Sequence, residues 1–146
     1  MAHVRTQIRD ALVALLTGLA TTGSRVHSAR VNAVPETPAL SVFVDEEEIE
    51  LAVVTDPLQL SRAVNVRVEC HSALIDGLDD KLDQMALEVE QAVAADPTLT
   101  GWLTDVLRPT GIEVDRTPRG ETPIGKLTIT FAASYETTNT APDTVL

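Results

Sequence analysis

Three groups of side chains in this sequence are of the types that bind metals or move protons. The first is Glu69-Cys70-His71, a carboxylate, a thiol and an imidazole in consecutive positions, which looks like a metal-ligand cluster. Glu69 and His71 alone could do acid–base work, because a neighbouring carboxylate tends to hold a histidine's charge. The second is Asp76, Asp79, Asp80 and Asp83, of which Asp76, Asp80 and Asp83 can share one helix face at spacings of four and three. Oxygen ligands so placed suit Mg2+. The third is the run Glu46-Glu47-Glu48, which could meet a metal or a partner. Serine, histidine and aspartate all occur, but no GxSxG elbow frames a nucleophile. The seven glycines stand singly, and none builds a phosphate-cradling GxxxxGK[ST] or GxGxxG loop.

The elements that carry these groups decide between chemistry and ordinary surface. Arg62 to Ala73 alternates cleanly, with Val64, Val66, Val68 and Cys70 on one face and Asn65, Arg67, Glu69 and His71 on the other. Such a period of two marks a half-buried antiparallel strand. Alternation sends Cys70 away from Glu69 and His71, so the trio cannot converge on one ion. A second alternating strand runs from Lys126 to Glu136, with Leu127, Ile129, Phe131, Ala133 and Tyr135 opposite Thr128, Thr130 and Ser134. Each strand has an apolar face to bury and a polar face to spare. The aspartates fall at a helix start, with Asp76 as the expected N-cap and Asp79 and Asp80 in the first turn, where carboxylates favour the positive end of the helix dipole. Capping and a solvated face explain that cluster without a metal. Glu46 to Glu48 reads as a solvated hairpin tip with an interaction role at most.

The remaining elements follow from periodicity and breakers. Val4, Ile8, Leu12, Leu15 and Leu19 predict an amphipathic helix over 3–20, ended by Thr21-Thr22-Gly23. Residues 24–38 carry Pro35 and Pro38 and read as a connection with a short strand around Arg30 to Ala33. Ala39 to Val44 predicts a strand, and Ile49, Leu51 and Val53 a second beyond the glutamates, before Asp56-Pro57 breaks the chain. Leu78, Leu82, Met85, Val89 and Val93 form one helical stripe ending near Asp96-Pro97, and 97–103 is a connection holding the only tryptophan, Trp102. Ile112 and Val114 suggest a strand that Pro109 and Gly111 confine to an edge or a bulge. Pro118 to Pro123 reads as a turn or loop, and 137–146 as a polar, flexible tail. The expected architecture is one α+β domain over 1–136, a mostly antiparallel sheet of about four to six strands with two amphipathic helices packed on one face.

Composition narrows the function. With 22 carboxylates against 11 lysines and arginines, the formal charge is −11, which opposes the counterion displacement that nucleic-acid binding depends on. An acidic wall that lets DNA slide past without sticking stays compatible. The apolar fraction of 44% with 3% aromatics implies a core of Val, Leu, Ile and Ala. The single Cys70 excludes an internal disulfide and suits a reducing interior. No run approaches the roughly 20 apolar residues of a membrane span, and the opening MAHVRTQIRD lacks a signal-peptide core. The expectation is a soluble protein made in the cytoplasm.

The opening RTQIRDALVALLTGLATTGSRVHSARV, the proline-led strand TPALSVFVDEE, the segment RAVNVRVECHSALIDGLDDKLDQMALEVEQAVAAD and the closing PIGKLTITFAASYETT together span nearly the whole chain. In that order they resemble the tail terminator, or minor tail protein U-like, proteins of long-tailed phages and prophages. The resemblance implies a non-enzymatic virion component without cofactor or metal, assembled in the host cytoplasm and placed at the head-proximal end of the tail. Proteins of this family form a hexameric ring on the last layer of tail-tube subunits. That ring stops tube growth and offers a docking surface to the head–tail connector or neck, while DNA passes the lumen without specific binding. On this reading Asn65, Arg67, Glu69 and His71 border a subunit interface or the lumen, and Glu46, Glu47 and Glu48 meet a partner. A neck or head-closure adaptor, a tail-tube subunit of the same virion, and a small metal-dependent hydrolase are the alternatives.

Overall fold

The computed structural model describes residues 2–28, 36–73, 76–119 and 122–146. In chain order the elements are α1 (Val4–Leu16), β1 (Val26–His27), β2 (Ala39–Val53), β3 (Gln59–Ala73), α2 (Leu78–Ala95), β4 (Arg108–Arg119) and β5 (Thr122–Thr138). The strands form one five-stranded sheet in the order β1-β2-β3-β5-β4. Every pairing is antiparallel except that of β1 with β2, which joins Val26 to Leu40 and His27 to Ser41. This is the α+β fold that the alternation predicts.

Register explains where the core sits. Along β3 and β5, Val64, Val66, Val68 and Cys70 lie opposite Ala133, Phe131, Ile129 and Leu127. Because paired residues share a face, one continuous apolar surface results, joined by Leu40 and Val42 of β2. Onto it pack Val4, Ile8, Leu12 and Leu16 of α1 and Leu78, Leu82, Met85, Val89 and Val93 of α2, all at most 8% exposed. Both amphipathic helices therefore cover the same side of the sheet. At Gly125 the approach is closest: a Cβ there would lie 2.9 Å from Leu82 Cδ1 and 3.1 Å from Leu78 Cδ1. The missing Cβ lets Leu78 and Leu82 at the start of α2 sit tightly on β5.

Several expectations are corrected. Helix α1 stops at Leu16 rather than near residue 20, because Thr17 turns extended and Gly18 takes a φ of +95°. The cap of α2 is Gly77 in the left-handed region, not Asp76, and no side chain caps it. Glu46 to Glu48 do not form a hairpin tip: β2 runs straight through them to Val53, with a bulge between Val44 and Glu47. The reversal into β3 falls instead at 54–58, where Thr55 Oγ1 donates to the Pro57 carbonyl at 2.8 Å. Pro118, Arg119, Thr122 and Pro123 of the expected loop belong to paired strands, whereas Gly120 and Glu121 lie outside the described residues. So does the short strand expected around Arg30 to Ala33.

The segment 137–146, expected to be free because it is polar, is tied down by backbone groups. Thr137 is fully buried and β5 continues to Thr138. Asn139 exchanges bonds with Leu58 at 3.0 Å and 2.9 Å. Val4 N donates to Pro142 O at 3.1 Å, and Leu146 N returns to Glu136 O at 2.9 Å. Polar composition precludes burial by apolar area, but it does not preclude fixing by hydrogen bonds.

Candidate functional site: the uncovered sheet face

With both helices on one side, the opposite side of the sheet carries no helix. Its residues are those of the second parity: Ser41, Phe43 and Asp45 on β2, Asn65, Arg67, Glu69 and His71 on β3, Lys126, Thr128 and Thr130 on β5, and Glu113 and Asp115 on β4. The four strand residues expected from the sequence do share this face, but in two different environments. Asn65 and Arg67 are partly exposed, and Arg67 Nη2 pairs with Asp45 Oδ2 at 2.9 Å. Glu69 and His71 are only 3% and 9% exposed.

Glu69 lies between an imidazole and an ammonium group. Its Oε2 is 3.2 Å from His71 Nε2 and its Oε1 is 4.0 Å from Lys126 Nζ. The expectation that the carboxylate holds the imidazole's charge is reversed in balance. Burial lowers the His71 pKa more than Glu69 raises it, and Lys126 and His27 add to the lowering. Next to the pair, Phe43, Arg67, Glu69, Glu113, Asp115, Lys126 and Thr128 line a shallow concavity of about 370 Å3. It brings together carboxylates and cations but no serine, cysteine or threonine framed as a nucleophile. Cys70 is on the opposite face, fully buried, with its thiol pushed up to about 12 by burial and then by the charge of Glu88. Among the described residues, no three His, Cys, Asp or Glu side chains gather as a metal site. Asp76, Asp80 and Asp83 are all exposed, and Asp79 is bound to Arg116 at 2.6 Å and 2.7 Å, tying β4 to α2.

The glutamate run divides. Glu46 and Glu48 are exposed, but the bulge turns Glu47 onto the core face, where its side chain is 7% exposed. There it accepts from the Tyr135 hydroxyl, lies 3.4 Å from Arg62 Nη1, and lies 3.6 Å from Arg5 Nε at the start of α1. Arg62 in turn donates from Nε to Thr137 Oγ1 at 2.9 Å. Burial first, then the bond to Glu47, raises the Tyr135 phenol above its ordinary value. This cluster locks the hairpin of β2 and β3 to α1 and to the end of β5.

Sequence reasoning missed Asp45, Lys126, Glu113 and Asp115 as members of the face. Parity would have found three of them: Lys126 alternates with Leu127, and Glu113 and Asp115 with Ile112 and Val114. It could not have found the inward turn of Glu47, which depends on one extra residue in β2.

No protein-family model matches the chain, and neither does any curated protein. Among solved structures, a chain from a particle described as the virion of native gene transfer agent (GTA) particle matches over 92% of this chain and 93% of its own, at 16% identity and a TM-score of 0.49. A likeness of that degree bears on neither function nor assembly.

Proposed function

We propose that the protein is a structural component of a phage-like virion, a tail terminator that caps the tail tube as a hexameric ring and forms the head-docking surface. The resemblance of its sequence segments, in order along nearly the whole chain, supports the reading. The observation that carries it is the uncovered polar sheet face. A ring through which DNA must pass needs a wide polar surface without strong phosphate affinity. Among the side chains that reach the surface of this face, Asp45, Glu113 and Asp115 outnumber Arg67 and Lys126, so the face repels more than it binds. In this role the protein performs no chemistry, Arg67 faces the lumen or a neighbour, and the partners are further copies, the tube protein and the neck.

Native mass spectrometry at high protein concentration, with and without Mg2+, together with negative-stain images, tests the proposal. A closed six-membered ring with an open centre is the expected result. Extended tubes would make the chain a tube subunit. A monomer that also fails to bind the ends of tail tubes would favour the neck adaptor.

A further inference from the structure

The sheet has two long edges that nothing among the described residues covers. Strand β4 pairs only with β5, so its outer edge is open over its whole length. Strand β2 meets β1 only at Leu40 and Ser41, which leaves its outer edge open from Val42 to Val53. Among the described residues, no backbone bond outside the ladders is made by 42–53 or 108–119. Open edges of this length invite pairing with another chain. Both also carry exposed apolar side chains on the helix-bearing face: Ile49 at 51% and Leu51 at 54% on β2, Ile112 at 51% and Val114 at 47% on β4. Their registers place them there, since Ile49 lies across from Arg62 and Tyr135, and Ile112 and Val114 from Ile129 and Leu127.

We infer that the outer edge of β2 in one copy adds to the outer edge of β4 in the next, making one sheet that continues across the seam. Three observations select this pairing. The strands β2, β3, β5 and β4 alternate in direction, so a second copy set beside the first without inversion presents β2 antiparallel to β4. The same placement keeps the helices on one side, and because Ile49 is level with Tyr135 and Val114 with Leu127 within one copy, a stagger of eight strand positions between copies sets Ile49 and Leu51 against Val114 and Ile112 as cross-strand neighbours. Charge disfavours the like-with-like alternative. Two β2 edges would bring Glu46, Glu48 and Glu50 of both copies together, whereas β4 carries Arg108 and Arg116 along with Glu113 and Asp115. An interface between two different patches is head-to-tail, and it closes when the rotation between copies allows. The inference deepens the ring reading and rests on it only for closure. It also places the uncovered face toward the inside if the helices lie outside.

Single variants Glu50→Cys on β2 and Glu113→Cys on β4 test the seam, both at positions outside the core. Native Cys70 is fully buried and stays silent. A short bis-maleimide is added to each variant alone and to their mixture at high protein concentration and moderate salt. Salt matters because Glu48 and Glu50 approach Glu113 and Asp115 on the polar side and repel when unscreened. The expected result is a dimer-sized product in the mixture and little in either variant alone. Adding Leu51→Lys or Val114→Lys should abolish it without changing Tm. Equal product with either variant alone, or none in the mixture, overturns the seam. Cross-linked copies that never cap tail tubes would retire the terminator reading and leave the seam standing. Capping that survives Leu51→Lys and Val114→Lys would do the reverse.

Discussion

Glu47→Ala is expected to destabilise the domain strongly although it removes one glutamate from a run of three. The carboxylate is 7% exposed, the Arg62 guanidinium beside it is 8% exposed, and the Tyr135 hydroxyl donates to the same carboxylate. Truncation leaves Arg62 with the Thr137 hydroxyl alone among its near partners and leaves the Tyr135 hydroxyl without its acceptor. Removing one member of a buried pair costs about 3–5 kcal/mol, because the other charge stays desolvated. With a urea m-value of about 2 kcal/mol/M, the unfolding midpoint should fall by roughly 1.5–2.5 M. Tyr135→Phe keeps the ion pair and loses one bond to a charged acceptor, which is worth about 1.5–3 kcal/mol. The two variants touch one network, so their effects should combine to less than the sum. Replacing the pair together, Glu47→Leu with Arg62→Met, should recover most of the loss, because no buried charge is then left alone. Urea unfolding followed by circular dichroism and by Trp102 fluorescence reads all four. A Glu47→Ala midpoint within about 0.3 M of the parent, at that m-value, would mean that the side chain reaches water and the reasoning fails. Charge reversal for assembly tests belongs at Glu46 and Glu48, where the side chains are exposed, since a defect from reversing Glu47 would report unfolding.

Other outcomes follow from single features. Gly125→Ala forces its new methyl to within 2.9 Å of Leu82 Cδ1 and should cost about 1–3 kcal/mol; combined with Leu82→Ala, the total should fall short of the sum in a thermal melt. The Cys70 thiol, buried and pushed up to about 12, should react with a thiol reagent at about pH 8 only at the rate set by unfolding. Immediate labelling would show an open core. His71 is held below its ordinary 6.5, so the unfolded chain takes up its proton first as pH falls. Its contribution is therefore complete above about pH 6.5 and is lost as pH drops through the folded value. Urea midpoints at about pH 7 and pH 5.5 should show this decline, and His71→Gln should flatten it. An unchanged slope in that variant would assign the decline to other groups. Arg67→Glu leaves the core untouched, breaks the 2.9 Å pair with Asp45, and should impair ring or tail assembly with little change in Tm. Normal tail length with this variant would make Arg67 mere surface.

The elements that could be read from the sequence are those whose signal is local. Alternation at Val64, Val66, Val68 and Cys70 gives the strand and both of its faces, because burial on one side of a pleat imposes a period of two. The stripe from Leu78 to Val93 gives α2 in the same way, and Pro109 with Gly111 gives a β4 that is an edge strand bulged at that point. The failures share a different cause. Three consecutive glutamates favour a solvated turn, yet Glu47 is held inward by Arg62 and Tyr135, which are 15 and 88 residues away. The closing residues look free for the same reason: their partners are Leu58, Val4 and Glu136, and the bonds are mainly to backbone, which leaves no trace in side-chain pattern. Parity puts Glu69 and His71 on the face opposite Cys70, but it does not report that both are buried there.

Gln7 holds Ala2 O and Asp143 O with one side-chain nitrogen, at 2.6 Å and 2.9 Å. The two ends of the folded chain are therefore neighbours, at the mouth of α1. Whatever is attached to either end, a purification tag, a fluorophore or a further stretch of polypeptide, emerges from one place on the surface. A bulky fusion should thus be tolerated at both ends or at neither. The same adjacency makes joining the ends by a short linker, and reopening the chain at the exposed turn around Asp56, a rearrangement the fold can accept.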